Sequence, residues 1–259
     1  MQPPTIVDRI VRHERLLLGM TLLAVCLGCW AWIVPMARDM YGAMSGPAAW
    51  MMTADWDAPH LLLLGAMWTV MMAGMMLPSA LPLMLVYAGA ARRRADGRPG
   101  VGVPAMAAGY VLVWTGFSVG ATLLQRILSA GLVLSPMMEA RSPLFSAALL
   151  IAAGVYQLTP LKRSCLASCS APIDFLMRRW RDGASGAFRM GVEHGVSCVG
   201  CCWALMLLLF AGGVMNLAVI GALTAFVLVE KLTPLGLRGA RLTGLALIAL
   251  GVWVLATRL

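Results

Sequence analysis

The sequence predicts an all-α polytopic membrane helix bundle of about seven transmembrane helices, with the N-terminus inside and the C-terminus outside. Three observations carry this. Of 259 residues, 61% are hydrophobic and only 12% are charged, against about 45–50% and about 25% in a soluble domain. Seven apolar runs approach or exceed the length that crosses a bilayer, about 20 residues. The lysines and arginines fall mostly on alternate loops, as the positive-inside rule requires. The same composition excludes disorder. Seven cysteines, sparse and odd in number, argue against a disulfide-stapled secreted scaffold.

The spans are expected at about 16–37, 61–90, 103–125, 143–160, 190–211, 215–231 and 240–257, in one integral membrane domain, 1–259. The first follows a charged stretch with Arg9, Arg12 and Arg15. It is too long for a signal-peptide core and lacks a clear small-residue cleavage site, so it reads as an uncleaved helix. The second is rich in methionine and carries Pro78 and Pro82, which break the helix ladder. The fourth and sixth are short. The fifth and sixth form one apolar stretch, divided at Gly212-Gly213 and Asn216, residues that suit a tight turn. Undivided, a helix of about 40 residues would be twice the bilayer thickness.

Sidedness tests the division. With the N-terminus inside, the inner segments hold Arg9, Arg12, Arg15, the Arg92–Arg98 group, Lys162, Arg163, Arg178, Arg179, Arg181, Arg189, Lys231, Arg238 and Arg241. The outer segments hold only Arg38, Arg126, Arg141 and Arg258. Removing the division would move Lys231, Arg238 and Arg241 outside. The net charge of +9 is thus a topology signal and a contact with anionic lipids on the cytoplasmic face; it calls for no nucleic acid. Within the inner loop, 161–189, Ile173, Phe175, Leu176 and Trp180 alternate with Asp174, Arg178, Arg179 and Arg181. That mixture predicts an interfacial amphipathic helix, an ordinary basic loop being the alternative. The tetrapeptide Leu158-Thr159-Pro160-Leu161 returns as Leu232-Thr233-Pro234-Leu235, too short an echo to establish a repeat.

The cysteines carry the chemistry. Cys26 and Cys29 sit in the first run, where buried cysteine is ordinary packing. His194, Cys198, Cys201 and Cys202 are spaced 0, 4, 7 and 8, which on a helix gathers one imidazole and three thiols within an arc of about 100°. Cys165 and Cys169, spaced i, i+4, can join them if their loop is helical. Thiolate and imidazole are ligands of zinc and copper(I). Thiol–disulfide exchange and simple packing are the alternatives, while a structural disulfide is disfavoured on a reducing side.

Twenty methionines are a second soft-ligand signal. Met67, Met71 and Met75 form an i, i+4, i+8 stripe, with Met72 and Met76 beside it. Thioether binds copper(I) without losing a proton, so the stripe reads as a path for the ion or as flexible packing. Of the acids, only Glu193 and Glu230 adjoin apolar runs. Each is a candidate support for the thiol cluster, and Glu230 beside Lys231 equally makes a snorkelling interfacial pair. Before the second span, Asp55, Asp57 and His60 form a candidate outer approach for a metal.

Three segments together resemble a known family: Gly195-Val-Ser-Cys-Val-Gly-Cys-Cys-Trp203-Ala-Leu-Met206, Met71-Met72-Ala-Gly-Met75-Met76-Leu-Pro78-Ser79, and Tyr156-Gln-Leu-Thr-Pro160-Leu-Lys162-Arg-Ser-Cys165-Leu-Ala-Ser-Cys169. The likeness, over roughly 60–255, is to an uncharacterised bacterial family of predicted metal-binding integral membrane proteins. It implies several spanning helices and a metal, and assigns no catalytic residue.

No phosphate-binding glycine loop, dinucleotide fingerprint or HExxH motif is present. The expectation is a bacterial inner-membrane protein that binds and moves or delivers a soft metal, copper or zinc, with a metallochaperone or partner subunit. A metal-dependent membrane oxygenase or oxidoreductase and a thiol-redox protein are the alternatives.

Overall fold

The computed structural model describes residues 6–42, 56–93, 99–135, 137–233 and 236–258. The helices are α1 (Ile6–Met40), α2 (Ala58–Arg93), α3 (Pro99–Ala130), α4 (Pro143–Leu158), α5 (Pro160–Ser170), α6 (Pro172–Arg179), α7 (Gly183–Leu207), α8 (Leu209–Gly212), α9 (Leu217–Leu232) and α10 (Gly236–Arg258). Among the described residues no strand forms; one isolated bridge joins Leu134 to Ala140. The all-helical class expected from the sequence is what the chain adopts.

Among the described residues, five segments are long and apolar enough to cross a membrane: Leu16–Met40, Ala58–Arg92, Val101–Ala130, Gly183–Gly212 and Arg238–Thr257. The pair α4 and α5, bent by 67°, makes a sixth if taken as one span. The expected sixth span, 215–231, corresponds to α9, which has 16 residues. At 1.5 Å per residue it reaches about 24 Å, short of a hydrocarbon core of about 30 Å.

Local chemistry accounts for the breaks. Thr159 closes α4 and caps α5, its hydroxyl accepting from Lys162 N at 3.2 Å, with Pro160 at the first helical position. Gly213, at φ 93°, ends α8 in a conformation that favours glycine. The Asn216 side chain then caps α9 by accepting from the backbone of Ala218 and Val219. Nearby, Tyr41 Oη donates to Glu139 Oε1 at 2.7 Å. Burial, reinforced by that carboxylate, pushes the phenol up to about 12. In α2, Pro78 and Pro82 remove two ladder bonds, yet the helix runs through both.

Helix α2 sits inside the bundle, packed by α1, α3 and α9, and α3 lies along α7. Small residues bring α3 and α7 close. A Cβ at Gly109 would overlap the Phe188 carbonyl, and one at Gly191 the Met106 carbonyl. Gly154 and Gly244 likewise bring α4 close to α10, the small-residue packing of membrane helices. Cys29 of α1 packs where α2 has Gly74, a structural use of that cysteine. On the outside, Leu23 and Leu27 of α1, Leu123 and Ile127 of α3, and Leu242, Leu245 and Trp253 of α10 are exposed. So much outward apolar surface is what a lipid environment covers.

Helix α7 begins at Gly183, ahead of the boundary near 190 read from hydropathy. Gly186, Ala187 and Met190 are buried along this first part, so tertiary contact extends the helix past Arg189. The cysteines consequently stand near the middle of Gly183–Gly212.

Candidate functional site

The residues of α7 spaced 0, 4, 7 and 8 share an inward face. His194 is 3% exposed, and Cys198, Cys201 and Cys202 have no exposure. Helix α5 supplies the second pair. Cys169 is buried and within electrostatic interaction range of the Cys198 and Cys201 thiols. Cys165 is half-buried, and its sulfur rests where α7 has Gly200. Tyr156 Oη donates to the Gly200 carbonyl, tying α4 to the same turn. Four thiols from two helices therefore meet, and all seven cysteines are unpaired.

Around this core the structure adds a thioether and an imidazole. Met76 Sδ of α2 lies 4.0 Å from Cys202 Sγ. Met71, Met72 and Met75 are fully buried on the same helix, as a stripe that packs the bundle interior. The His194 ring stacks on Tyr110 at 5.8 Å between centroids and meets Phe175 edge-on at 5.4 Å. Its Nδ1 is buried with no hydrogen-bond partner among the described residues. Such a vacancy is uncommon for a buried nitrogen.

Cys198 is the hub. Its sulfur is 3.0 Å from Tyr110 Oη and accepts from Lys231 Nζ at 2.8 Å. Tyr110 Oη also donates to the Met76 carbonyl at 3.0 Å. Lys231 Nζ donates to Ser79 Oγ at 3.3 Å. The thiols of Cys201 and Cys202 turn back onto the helix and donate to the Cys198 carbonyl, at 3.1 and 3.0 Å. The site is thus a charged, hydrogen-bonded thiol cluster built from α2, α3, α5, α7 and α9.

The two acids go elsewhere. Glu230 Oε2 pairs with Lys162 Nζ at 2.7 Å, both side chains fully buried. Lys162 also donates to the Cys201 carbonyl at 2.5 Å, so this pair buttresses the helix that bears the thiols. Glu193 accepts from Arg179 and Arg181, each at 2.9 Å and partly exposed. It clasps the segment joining α6 to α7. Of the outer approach, Asp57 Oδ1 accepts from His60 N at 2.9 Å, capping the start of α2, and the His60 ring lies 5.1 Å from Trp56. Asp55 lies outside the described residues.

Sequence reasoning missed Lys231, Lys162, Tyr110 and Ser79 as members of the site. Each reaches α7 or its attendants from another helix: Tyr110 from α3, Lys231 from α9, Ser79 from α2 through Lys231, and Lys162 from α5 through the Cys201 carbonyl, and no spacing rule links them across helices. The available signal was two lysines at the ends of apolar runs, where intramembrane charge is costly and marks function.

Among the described residues, no group of three or more His, Cys, Asp or Glu side chains is arranged to hold a metal ion. The donor chemistry nevertheless fits a soft ion. Two sulfurs each about 2.3 Å from an ion stand no more than about 4.6 Å apart, and the Cys202–Met76 separation of 4.0 Å lies within that.

A family model described as PpoB2, copper chaperone, matches residues 65–254, well over half of the chain. Comparison with curated proteins and with solved structures finds no match.

Proposed function

The chain belongs to this family of copper chaperones, and from that premise we propose that it is a membrane-embedded chaperone that takes up copper(I) on sulfur and passes it to a partner. The observation that carries this is the convergence of Cys169, Cys198, Cys201 and Cys202 with the Met76 thioether in a buried pocket. Soft thiolate and thioether donors select copper(I), and mixed thiol–thioether sites hold it without a preformed cage. His194, through its unpartnered Nδ1, completes the donor set, and Cys165 stands at its margin. A zinc site of the structural kind would require four donors in tetrahedral array, which this arrangement does not prepare.

In this reading the ion is cargo. Cys201 and Cys202 leave the Cys198 carbonyl to bind it, giving up weak S–H···O bonds for metal–sulfur bonds. Thiolate ligands release their protons on binding, so loading is linked to pH. The methionines of α2, Met71, Met72, Met75 and Met76, form a thioether lane leading to the site. The chain lies in the bacterial cytoplasmic membrane with seven crossings, N-terminus in and C-terminus out. Its basic inner loops rest on anionic lipid. The thiols open toward the inner side, and a metallochaperone or client protein is the partner.

Metal analysis tests this. Full-length protein purified anaerobically and reconstituted with copper(I) should hold about one copper per chain. The triple substitution Cys198→Ser, Cys201→Ser, Cys202→Ser should abolish it while leaving the helical content unchanged. Wild-type protein that emerges copper-free would overturn the reading. Thiol–disulfide exchange is the weaker alternative, because an exchanging thiol must be reachable and Cys198, Cys201 and Cys202 are fully buried.

A further inference from the structure

Lys231 is buried near the C-terminal end of α9, with an exposed Leu232 beyond it. Its partners come from two elements. Cys198 Sγ of α7 accepts at 2.8 Å, and Ser79 Oγ of α2 at 3.3 Å. Glu230, its neighbour in sequence, is engaged by Lys162. Among the described residues the cation holds no carboxylate, and it rests on the hub sulfur of the cluster. A cavity of about 210 Å³ reaches this point, walled by Ser79, Pro82, Cys169, Ser170, Lys231 and Leu232. Cys169 and Lys231 both line it, and Cys169 lies within interaction range of Cys198 and Cys201.

We infer that Lys231 gates this cavity as a placeholder cation: its ammonium occupies the Cys198 sulfur in the metal-free protein, and copper(I) arriving through the cavity displaces it. The inference rests on the copper reading above and adds the route and its guard. With Cys198 as a thiolate paired to the Lys231 ammonium, the N–H···S hydrogen bond breaks and a copper–sulfur bond forms on the same sulfur lone pair, so Cys198 has no proton to release. The ammonium keeps its proton and turns to Ser79 Oγ and the cavity, and no electron is transferred. Two cations cannot share one buried sulfur, because their repulsion is strong where water is excluded. The ammonium thus sets a threshold that only a soft cation, able to bond covalently to sulfur, can cross. Lys231 is a positioning residue.

The test is copper(I) uptake by the full-length protein in detergent, from a chromophoric copper(I) chelator, followed by stopped-flow absorbance. K231M removes the competing charge and should take up copper at least about tenfold faster and hold it more tightly. K231R retains the charge and should remain as slow as wild type. S170W fills the cavity mouth and should slow uptake by a similar factor while leaving the final copper content unchanged. Uptake by K231M that is unchanged or slower than wild type overturns the gate. Should K231M fail to fold, S170W decides, and unimpeded uptake overturns the inference. Wild-type protein that takes no copper at all instead overturns the function from which the gate is derived.

Discussion

Lys162 and Glu230 form a fully buried ion pair 2.7 Å apart, joined to α7 through the Cys201 carbonyl. A buried pair is weak evidence of net stabilisation, but removing one partner strands the other charge. Lys162→Met should therefore cost about 3–5 kcal/mol, and the double variant Lys162→Met, Glu230→Leu should recover a large part of that. Denaturant unfolding in detergent micelles reads both; additive losses would show that the pair is not coupled. The residue scale is where the sequence was least legible. Glu230 stands next to Lys231 and reads as its partner, yet on α9 they separate to two tasks. Glu230 turns to α5, and Lys231 to Cys198 of α7 and Ser79 of α2. Adjacent helical residues point about 100° apart, so neighbourhood in sequence predicted the wrong contact. Glu193 similarly adjoins His194 but turns outward to Arg179 and Arg181.

Elements were legible where period and composition agree. The i, i+4, i+7, i+8 set of α7 does share one buried face, because helical geometry alone dictates it. The pair Cys165 and Cys169 is helical because Thr159 and Pro160 start α5. What hydropathy could not see is where tertiary contact prolongs an element, as at the start of α7. The close passage of α3 and α7 is decided at two glycines, each facing a carbonyl of the other helix. Gly191→Leu should force these helices apart and abolish stable folded protein, seen as loss of a monodisperse peak and of thermal stability. Gly116→Ala on the same α3, where a Cβ meets nothing within 4 Å, should stay within about 0.5 kcal/mol of wild type or improve on it. If both variants behave alike, close packing at Gly191 is not what holds the pair.

At the scale of the molecule, the parity of the crossings sets the side of the C-terminus. Five long apolar helices, a bent pair and the 16-residue α9 admit different numbers of crossings, and each places the C-terminus on a definite side. Lys231, Arg238 and Arg241 flank the junction of α9 and α10, and the positive-inside rule predicts that junction on the inner side. A reporter fused after Arg258 should accordingly be active only outside, and one inserted in 180–184 only inside. A C-terminal reporter active inside would remove α9 from the crossings.

The sequence by itself determined the helical, lipid-compatible class and the single face on which His194, Cys198, Cys201 and Cys202 lie. It also determined the break at Gly212-Gly213 and Asn216. These follow from local quantities: hydropathy, a period of 3.6 residues, and the turn and capping preferences of a few side chains. The tertiary structure decided that Cys169 joins the α7 thiols and that the Met76 thioether lies 4.0 Å from the Cys202 sulfur. It also decided that a lysine, rather than an acid, attends Cys198. Those contacts join residues far apart in sequence, and their existence depends on how closely α2, α5, α7 and α9 approach, which no local pattern encodes.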